Sequence, residues 1–514
     1  AVSAAPYAPS VDKTYRRGDE RRVFLRKPQY VFGWDWGPRC VTCGICGDAY
    51  LRAGDGAVIR SADFRTRNIP FGPPAARAEL SVHAELENLD PAATREAVVT
   101  AVLSLDGAVV ARRTEECLLR SGINFLDLDF AVEDAQLWWP NGMGPQRLYD
   151  LNLEVSCGAA CDKIGPLRVG VRTLVLNTDR VSDGERLFAL EVNGTKVFCK
   201  GGDWIPADAI YARVSRDKYR TLLTEAKEAN FSMLRIWGGG IYEKDLFYEL
   251  CDELGILVWQ DFMFACACYP DEDRRFMDLV SRELSYQVRR LRAHPCLALW
   301  CGNNENQWIW DFQWRHSTEA FGGSRIYDFL APETVRLLSP GIPYWNSSPY
   351  GGAEPNSMAL GDRHHWHDCT MNPVMEKRIT PEEYDKADAK FISEYGYIGP
   401  CSMETIRRYH AGAPVERHSE LWNWHNNTFE KDTVVAGITK HYIDAEGLGL
   451  EDYLLYAGLC QGRMYGYSLE SLRSKEQCWG GLFWMYDDCW GEVGWTRSED
   501  RRVGKEGRSR WPPD

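Results

Sequence analysis

The hydrophobic period of this 514-residue chain changes once, near residue 179, and that change limits the fold more than any other feature. From about 56 to 178, apolar side chains recur at every second position. Leu80, Val82, Ala84 and Leu86 form one such row, and Val99, Ala101, Leu103 and Leu105 form another that runs into the turn pair Asp106-Gly107. Leu126, Leu128, Phe130 and Val132 repeat the pattern, as do Tyr149, Leu151, Leu153 and Val155. Such rows at short spacing, with no helical period between them, specify antiparallel strands and a small immunoglobulin-like β-sandwich. A partial β segment is expected ahead of it, over about 30–51.

Beyond 179, short apolar runs alternate with amphipathic helices. The expected strands are 197–200, 232–237, 256–261, 296–301, 342–347, 358–365, 390–394 and 481–486. Ser215 caps the first helix, which gathers Tyr219, Leu222, Leu223, Ala226 and Ala229 on one face. The second carries Tyr242, Leu246, Phe247, Leu250 and Leu254 and stops at Gly255. Eight such units make a (β/α)8 TIM barrel over 179–496, with its largest insertion between the seventh and eighth strands. Chemistry in that fold sits at the C-terminal ends of the strands.

Two carboxylates close strands there: Glu305 after the fourth run (Trp300-Cys301-Gly302-Asn303-Asn304) and Glu394 after the seventh (Lys390-Phe391-Ile392-Ser393). Cleaving a glycosidic bond takes one carboxylic acid at the leaving oxygen and one carboxylate at the anomeric carbon. Glu305 is the better acid/base and Glu394 the better nucleophile, with Asn304 placed to bond a sugar 2-hydroxyl. Trp345, His364 and His365 close neighbouring strands and suit the same ligand. The 20 Trp and 24 Tyr of the chain supply flat faces for sugar rings.

Other chemistries fit less well. Cys40, Cys43 and Cys46 are spaced C-x2-C-x2-C but lack a fourth ligand nearby, and His364, His365 and His367 lack completing carboxylates. No metal or cofactor is expected. A net charge of −14 argues against nucleic acid or an anionic membrane as partner, and no apolar run is long enough for a spanning helix. Seventeen scattered cysteines, several within apolar runs, point to a reducing, cytoplasmic setting. The chain opens without Met or a signal-peptide pattern, so its true start is expected upstream.

The motifs together resemble glycoside hydrolase family 2, in its β-mannosidase branch. The residues that carry the likeness are Trp-Cys-Gly-Asn-Asn-Glu (300–305), Ser-Glu-Tyr-Gly (393–396), Lys-Gly-Gly-Asp-Trp-Ile-Pro-Ala-Asp (200–208), Arg-Ile-Trp-Gly-Gly-Gly (235–240), Trp-Gln-Asp-Phe-Met-Phe-Ala (259–265), Phe-Gly-Trp-Asp-Trp-Gly-Pro (32–38) and Gly-Val-Arg (170–172). The resemblance implies a retaining exo-β-mannosidase without cofactor, acting on β-linked oligosaccharides, with Glu305 as acid/base and Glu394 as nucleophile. It also implies that Trp34 and Asp35 touch the terminal sugar, with Asn304, Trp237 and Trp484 lining its subsite. Residues 1–55 would be the C-terminal part of a sugar-binding β-sandwich.

Three departures keep alternatives open. The chain begins inside the sugar-binding sandwich. His365 stands where the family implies a Tyr that supports the nucleophile. A Gln expected after Ser-Glu-Tyr-Gly is missing. An exo-β-hexosaminidase or galactosaminidase of the same family, or an impaired carbohydrate-binding fragment, are the alternatives. Residues 497–514 are basic and polar, read like a translated sequencing adapter, and are expected to be non-native.

Overall fold

The computed structural model describes residues 20–47, 49–70, 76–311, 321–425 and 432–495. The opening decapeptide and the tail from 497 to 514 lie outside the described residues. Seven long strands form the sandwich: β1 (Ala57–Asn68), β2 (Ala78–Asn88), β3 (Arg95–Leu105), β4 (Ala108–Leu119), β5 (Gly122–Val132), β6 (Tyr149–Cys157) and β7 (Ala160–Val169). They pair antiparallel as sheets β1-β2-β5 and β4-β3-β6-β7. The predicted rows meet in register, Val82 opposite Leu128 and Leu103 opposite Leu151, and face one shared apolar core. Asp106 and Gly107 both take positive φ, 49° and 82°, as the tight β3–β4 turn requires.

Gly170-Val171-Arg172 joins the sandwich to the second unit. Arg172 locks the joint, its guanidinium donating to the carbonyls of Pro295 and Leu297 at 2.6 Å each. Eight parallel strands then form one curled sheet. In chain order they are Cys199–Trp204, Met233–Ile236, Leu257–Asp261, Leu297–Cys301, Tyr344–Trp345, Arg363–His364, Ile392–Glu394 and Gly480–Phe483. The ladder runs fifth-fourth-third-second-first-eighth-seventh-sixth. Across the seam between fifth and sixth, Trp345 Nε1 donates to Asp362 at 2.8 Å. Ser215 caps the helix Arg216–Glu228 through its side chain, and Gly255 ends Asp245–Leu254 in the left-handed region. The longest insertion, holding the helix Leu450–Arg473, falls between the seventh and eighth strands. Among the described residues no helix is long and apolar enough to cross a membrane.

Two expectations need correction. The segment 30–51 is not β: Gln29–Phe32 is a single 3-10 turn, and no strand follows among its described residues. Pro28, Gly33 and Pro38 interrupt any ladder, and Tyr30, Val31, Phe32 and Trp36 are buried against the barrel instead. The first barrel strand starts two residues later than expected and runs on through Gly201 and Gly202 to Trp204. A Cβ on Gly201 would lie 1.8 Å from the Met233 carbonyl, so glycine is what lets the first two strands approach.

Candidate active site

At the C-terminal end of the barrel the strands deliver charge into a closed space. Arg235, on the second strand, is fully buried and donates to Asp203 (3.0 Å), Asp261 (2.8 Å), Asn304 Oδ1 (2.7 Å) and Glu394 Oε1 (3.0 Å). Burial pulls its pKa down, but Asp261, Asp203 and Glu394 together hold it well above the ordinary value. An arginine is suited to this because its planar fork serves several acceptors at once and stays charged.

Glu394 ends the seventh strand. Its Oε2 accepts from Trp366 Nε1 at 3.0 Å and lies 3.2 Å from His364 Nδ1. Glu305 follows the fourth strand with φ of +62°, a conformation rare for a residue with a side chain, and its N–H donates to the Ser348 carbonyl at 2.7 Å. His364 Nδ1 lies 2.7 Å from Glu305 Oε1. One imidazole nitrogen therefore sits between the two carboxylates, and the facing atoms of all three groups lie within 4.8 Å of one another. Facing atoms this close are consistent with the short class of carboxylate pairs, whose carboxyl groups stand about 5–5.5 Å apart.

The electrostatics follow from this crowding. Burial raises the pKa of Glu394 and the charge of Glu305 adds to it, while His364 and Arg235 oppose the rise. Burial lowers His364 to about 4, so its ring is neutral at physiological pH. With Nδ1 facing two carboxylates, its proton belongs there, and Nε2 faces Ser348 Oγ at 3.0 Å. Ser348 and Ser393 both contact Asp362 Oδ2, at 2.7 and 2.6 Å, which anchors this layer.

Aromatic rings wall the space beside the pair. Trp237 meets Trp34 edge-on at 4.8 Å, Trp484 at 5.4 Å and Trp36 at 5.6 Å. Tyr30 N–H donates to the Gly239 carbonyl at 2.9 Å, pinning the Trp34 segment to the second strand's loop. Asp35 accepts from Trp495 Nε1 at 3.1 Å, and Trp495 packs at 4.8 Å on Trp366, the indole that bonds Glu394. Trp34, Asp35, Trp237, Asn304, His364, Trp484 and both glutamates thus belong to one connected cluster.

Two predicted site residues do not join it. His365 faces away from both carboxylates and packs 5.8 Å from Tyr384, its Nδ1 3.5 Å from Asp368. The support expected from position 365 comes instead from its two neighbours, His364 and Trp366. Trp345 lies in the barrel interior, 4.8 Å from Phe188, and contributes through the seam bond to Asp362. By donor type, Glu305, His364 and Glu394 could hold a cation, but the Arg235 charge 3.0 Å from Glu394 opposes one. Cys43 and Cys46 are exposed and Cys40 half-buried.

Sequence reasoning gave Arg235, Asp203, Asp261 and Trp366 no individual role, although all four stand at or near strand ends. Their position was the signal; their convergence on Glu394 was not visible. Cys266, whose thiol lies 3.3 Å from Glu305 Oε2, carried no signal at all.

Residues 3–47 match the family described as Glycosyl hydrolase 2 galactose-binding domain-like, and residues 67–172 match Glycosyl hydrolases family 2. Beta-mannosidase B of Emericella nidulans is 30% identical over 495 residues, covering 93% of this chain and 57% of the relative. Its counterpart from Aspergillus terreus is 32% identical over 499 residues, covering 93% and 56%. The chain therefore spans a little over half the length of these relatives. Among solved structures, the beta-D-mannosidase of Dictyoglomus thermophilum matches with a TM-score of 0.85 at 36% identity, over 94% of this chain and 58% of that one. The Amycolatopsis orientalis exo-chitosanase shares the fold at a TM-score of 0.63 and 18% identity, over 87% and 51%. With the barrel, the sandwich and these matches together, the chain is a β-mannosidase-like member of glycoside hydrolase family 2.

Proposed function

We propose that this chain removes terminal, non-reducing β-D-mannose from oligosaccharides with retention of configuration. The observation that carries the reading is the carboxylate pair within 4.8 Å, one member locked by Arg235 and Trp366 and the other facing it across His364. Glu394 attacks the anomeric carbon while Glu305 protonates the departing oxygen, giving a covalent mannosyl ester. Glu305 then takes a proton from water, which attacks the same carbon and releases mannose with its β configuration.

Positioning supplies much of the rate. Arg235 donates to the Asn304 carbonyl oxygen and Cys266 Sγ accepts from its nitrogen, which fixes the amide beside Glu305, where its remaining N–H serves the sugar 2-hydroxyl. Trp34, Trp237 and Trp484 stack about the terminal ring, and Asp35 bonds its hydroxyls. The docked 30–37 segment closes the glycone end, which favours exo action. Mannose as the sugar rests on the names of the relatives rather than on any single contact.

Hydrolysis of a panel of nitrophenyl β-glycosides (mannoside, glucosaminide, galactosaminide, galactoside, glucuronide), beside Glu394→Ala, tests the reading. Turnover of the mannoside alone, abolished in Glu394→Ala, is the expected result. Preference for an amino sugar would overturn the specificity. No turnover from folded, monodisperse chain would make it a carbohydrate-binding fragment.

A further inference from the structure

The loop after the third barrel strand brings a thiol against Glu305. Above the regular ladder, Ala265, Asn304 and Ser348 continue the sheet as paired bridges. Cys266 N–H donates to the Asn304 carbonyl at 3.0 Å, and Asn304 N–H to that of Phe264 at 2.9 Å. Cys266 itself takes a φ of +46°, and buried Arg22 reaches its carbonyl at 3.4 Å. The backbone that carries the thiol is thereby tied to the residue preceding Glu305. The side chain is tied as well. Asn304 Nδ2 donates to Cys266 Sγ at 3.5 Å, and Sγ donates to Glu305 Oε2 at 3.3 Å. His364 occupies the other Glu305 oxygen, so the carboxyl is held from both sides.

We propose that Cys266 is a positioning residue for Glu305, its thiol fixing Oε2 and adapting to both protonation states of the carboxyl during turnover. This rests on Glu305 being the acid/base. A thiol is a weak donor and a weak acceptor. It can point its proton at the carboxylate and accept weakly from the carboxylic acid, so neither state leaves a strongly unsatisfied buried group. A hydroxyl would donate more strongly and favour the charged form. An apolar side chain would donate nothing and favour the neutral form.

Cys266→Ser and Cys266→Ala should therefore shift Glu305 in opposite directions. The other charged groups facing it stay in place: His364 on Oε1, Glu394 beyond, Arg235 behind Asn304, and Arg22 over the Cys266 carbonyl. The alkaline limb of kcat/KM, which reports the acid in the free enzyme, should move to lower pH in Cys266→Ser and to higher pH in Cys266→Ala. The loss should also grow with leaving-group basicity. We expect roughly tenfold on a phenyl or oligosaccharide mannoside, a small part of the 10²–10⁴ a general acid supplies, and a smaller loss on a dinitrophenyl mannoside, whose departure needs no proton. Carbon-13 titration of the Glu305 carboxyl gives the same two shifts without turnover and keeps the test alive if one variant is inactive. Shifts of the same sign, or equal losses across leaving groups, would overturn the proposal. Glu305→Ala, run beside them, separates the two layers: if its loss does not depend on the leaving group, the acid/base assignment itself fails.

Discussion

The sandwich and the barrel mouth bury their side chains by opposite rules. Inside the sandwich, Val82, Val99, Leu103, Leu128, Leu151 and Val155 pack in the rows that an alternating pattern gives, and all are apolar. At the barrel mouth, Asp203, Arg235, Asp261, Asn304, His364 and Glu394 are as deeply buried, yet all are polar and most carry charge. Removing charge from water is costly even when it is paired, and two carboxylates sharing one histidine add repulsion. Side chains that break the local rule for a core, with no gain in stability, are what a reaction centre leaves in a fold.

The largest test of this contrast is Glu394→Gln. Turnover should fall by roughly 10³-fold or more, as for loss of a reacting group. Because burial and Glu305 both disfavour the charged form of Glu394, the melting temperature at pH 7 should hold or rise. A fall in melting temperature would erase the distinction. Asn304→Ala should come next, losing about 10²–10³-fold in kcat, the cost of one preorganised donor, with little effect on a substrate that lacks the 2-hydroxyl. On the sandwich side, Leu151→Ala should cost about 2–5 kcal/mol of stability, read as a lower denaturant midpoint, while kcat/KM of the folded fraction stays as in the parent. A comparable loss of kcat/KM would mean that the sandwich tunes the mouth.

The smallest effect concerns pH. His365 is held near 4, chiefly by burial, against 6.5 in an unfolded chain. Between those values the unfolded state binds the extra proton, so the contribution of His365 to stability is lost as pH falls from 6.5 toward 4. His365→Phe should remove that slope, so the denaturant midpoint of the parent should fall relative to that of the variant as pH drops from 6.5 toward 4. Parallel curves would mean the ring is not held neutral.

The same contrast explains what was legible in the sequence. Period-2 rows have one solution, so β2, β3, β5 and β6 of the sandwich could be read residue by residue, whereas β1, β4 and β7 were not singled out. Barrel strands buried on both faces show as apolar runs, and their ends pointed to Glu305, Glu394 and Asn304. Which side chain of a two-residue strand faces inward has no periodicity to reveal it. That is why the support for Glu394 was expected at 365 and is found at 364 and 366, and why Trp345 was expected at the mouth and packs below it. The 30–51 segment misled because its aromatic and β-branched residues pack on the barrel rather than on a sheet of their own. Cys266 meets Glu305 through a contact between two loops, and no spacing within either predicts it.

The most direct measurement is the mass of the chain after brief reaction with a 2-deoxy-2-fluoro-β-mannosyl fluoride, followed by peptide mapping. The fluorine slows both steps and the activated leaving group restores the first, so a covalent intermediate accumulates. A single mannosyl adduct on the peptide carrying Glu394, absent from Glu394→Gln, is the predicted result. An adduct on another residue would contradict the assignment of Glu394 as nucleophile. Turnover of the same reagent to the inverted sugar, with no adduct formed, would contradict the retaining mechanism itself.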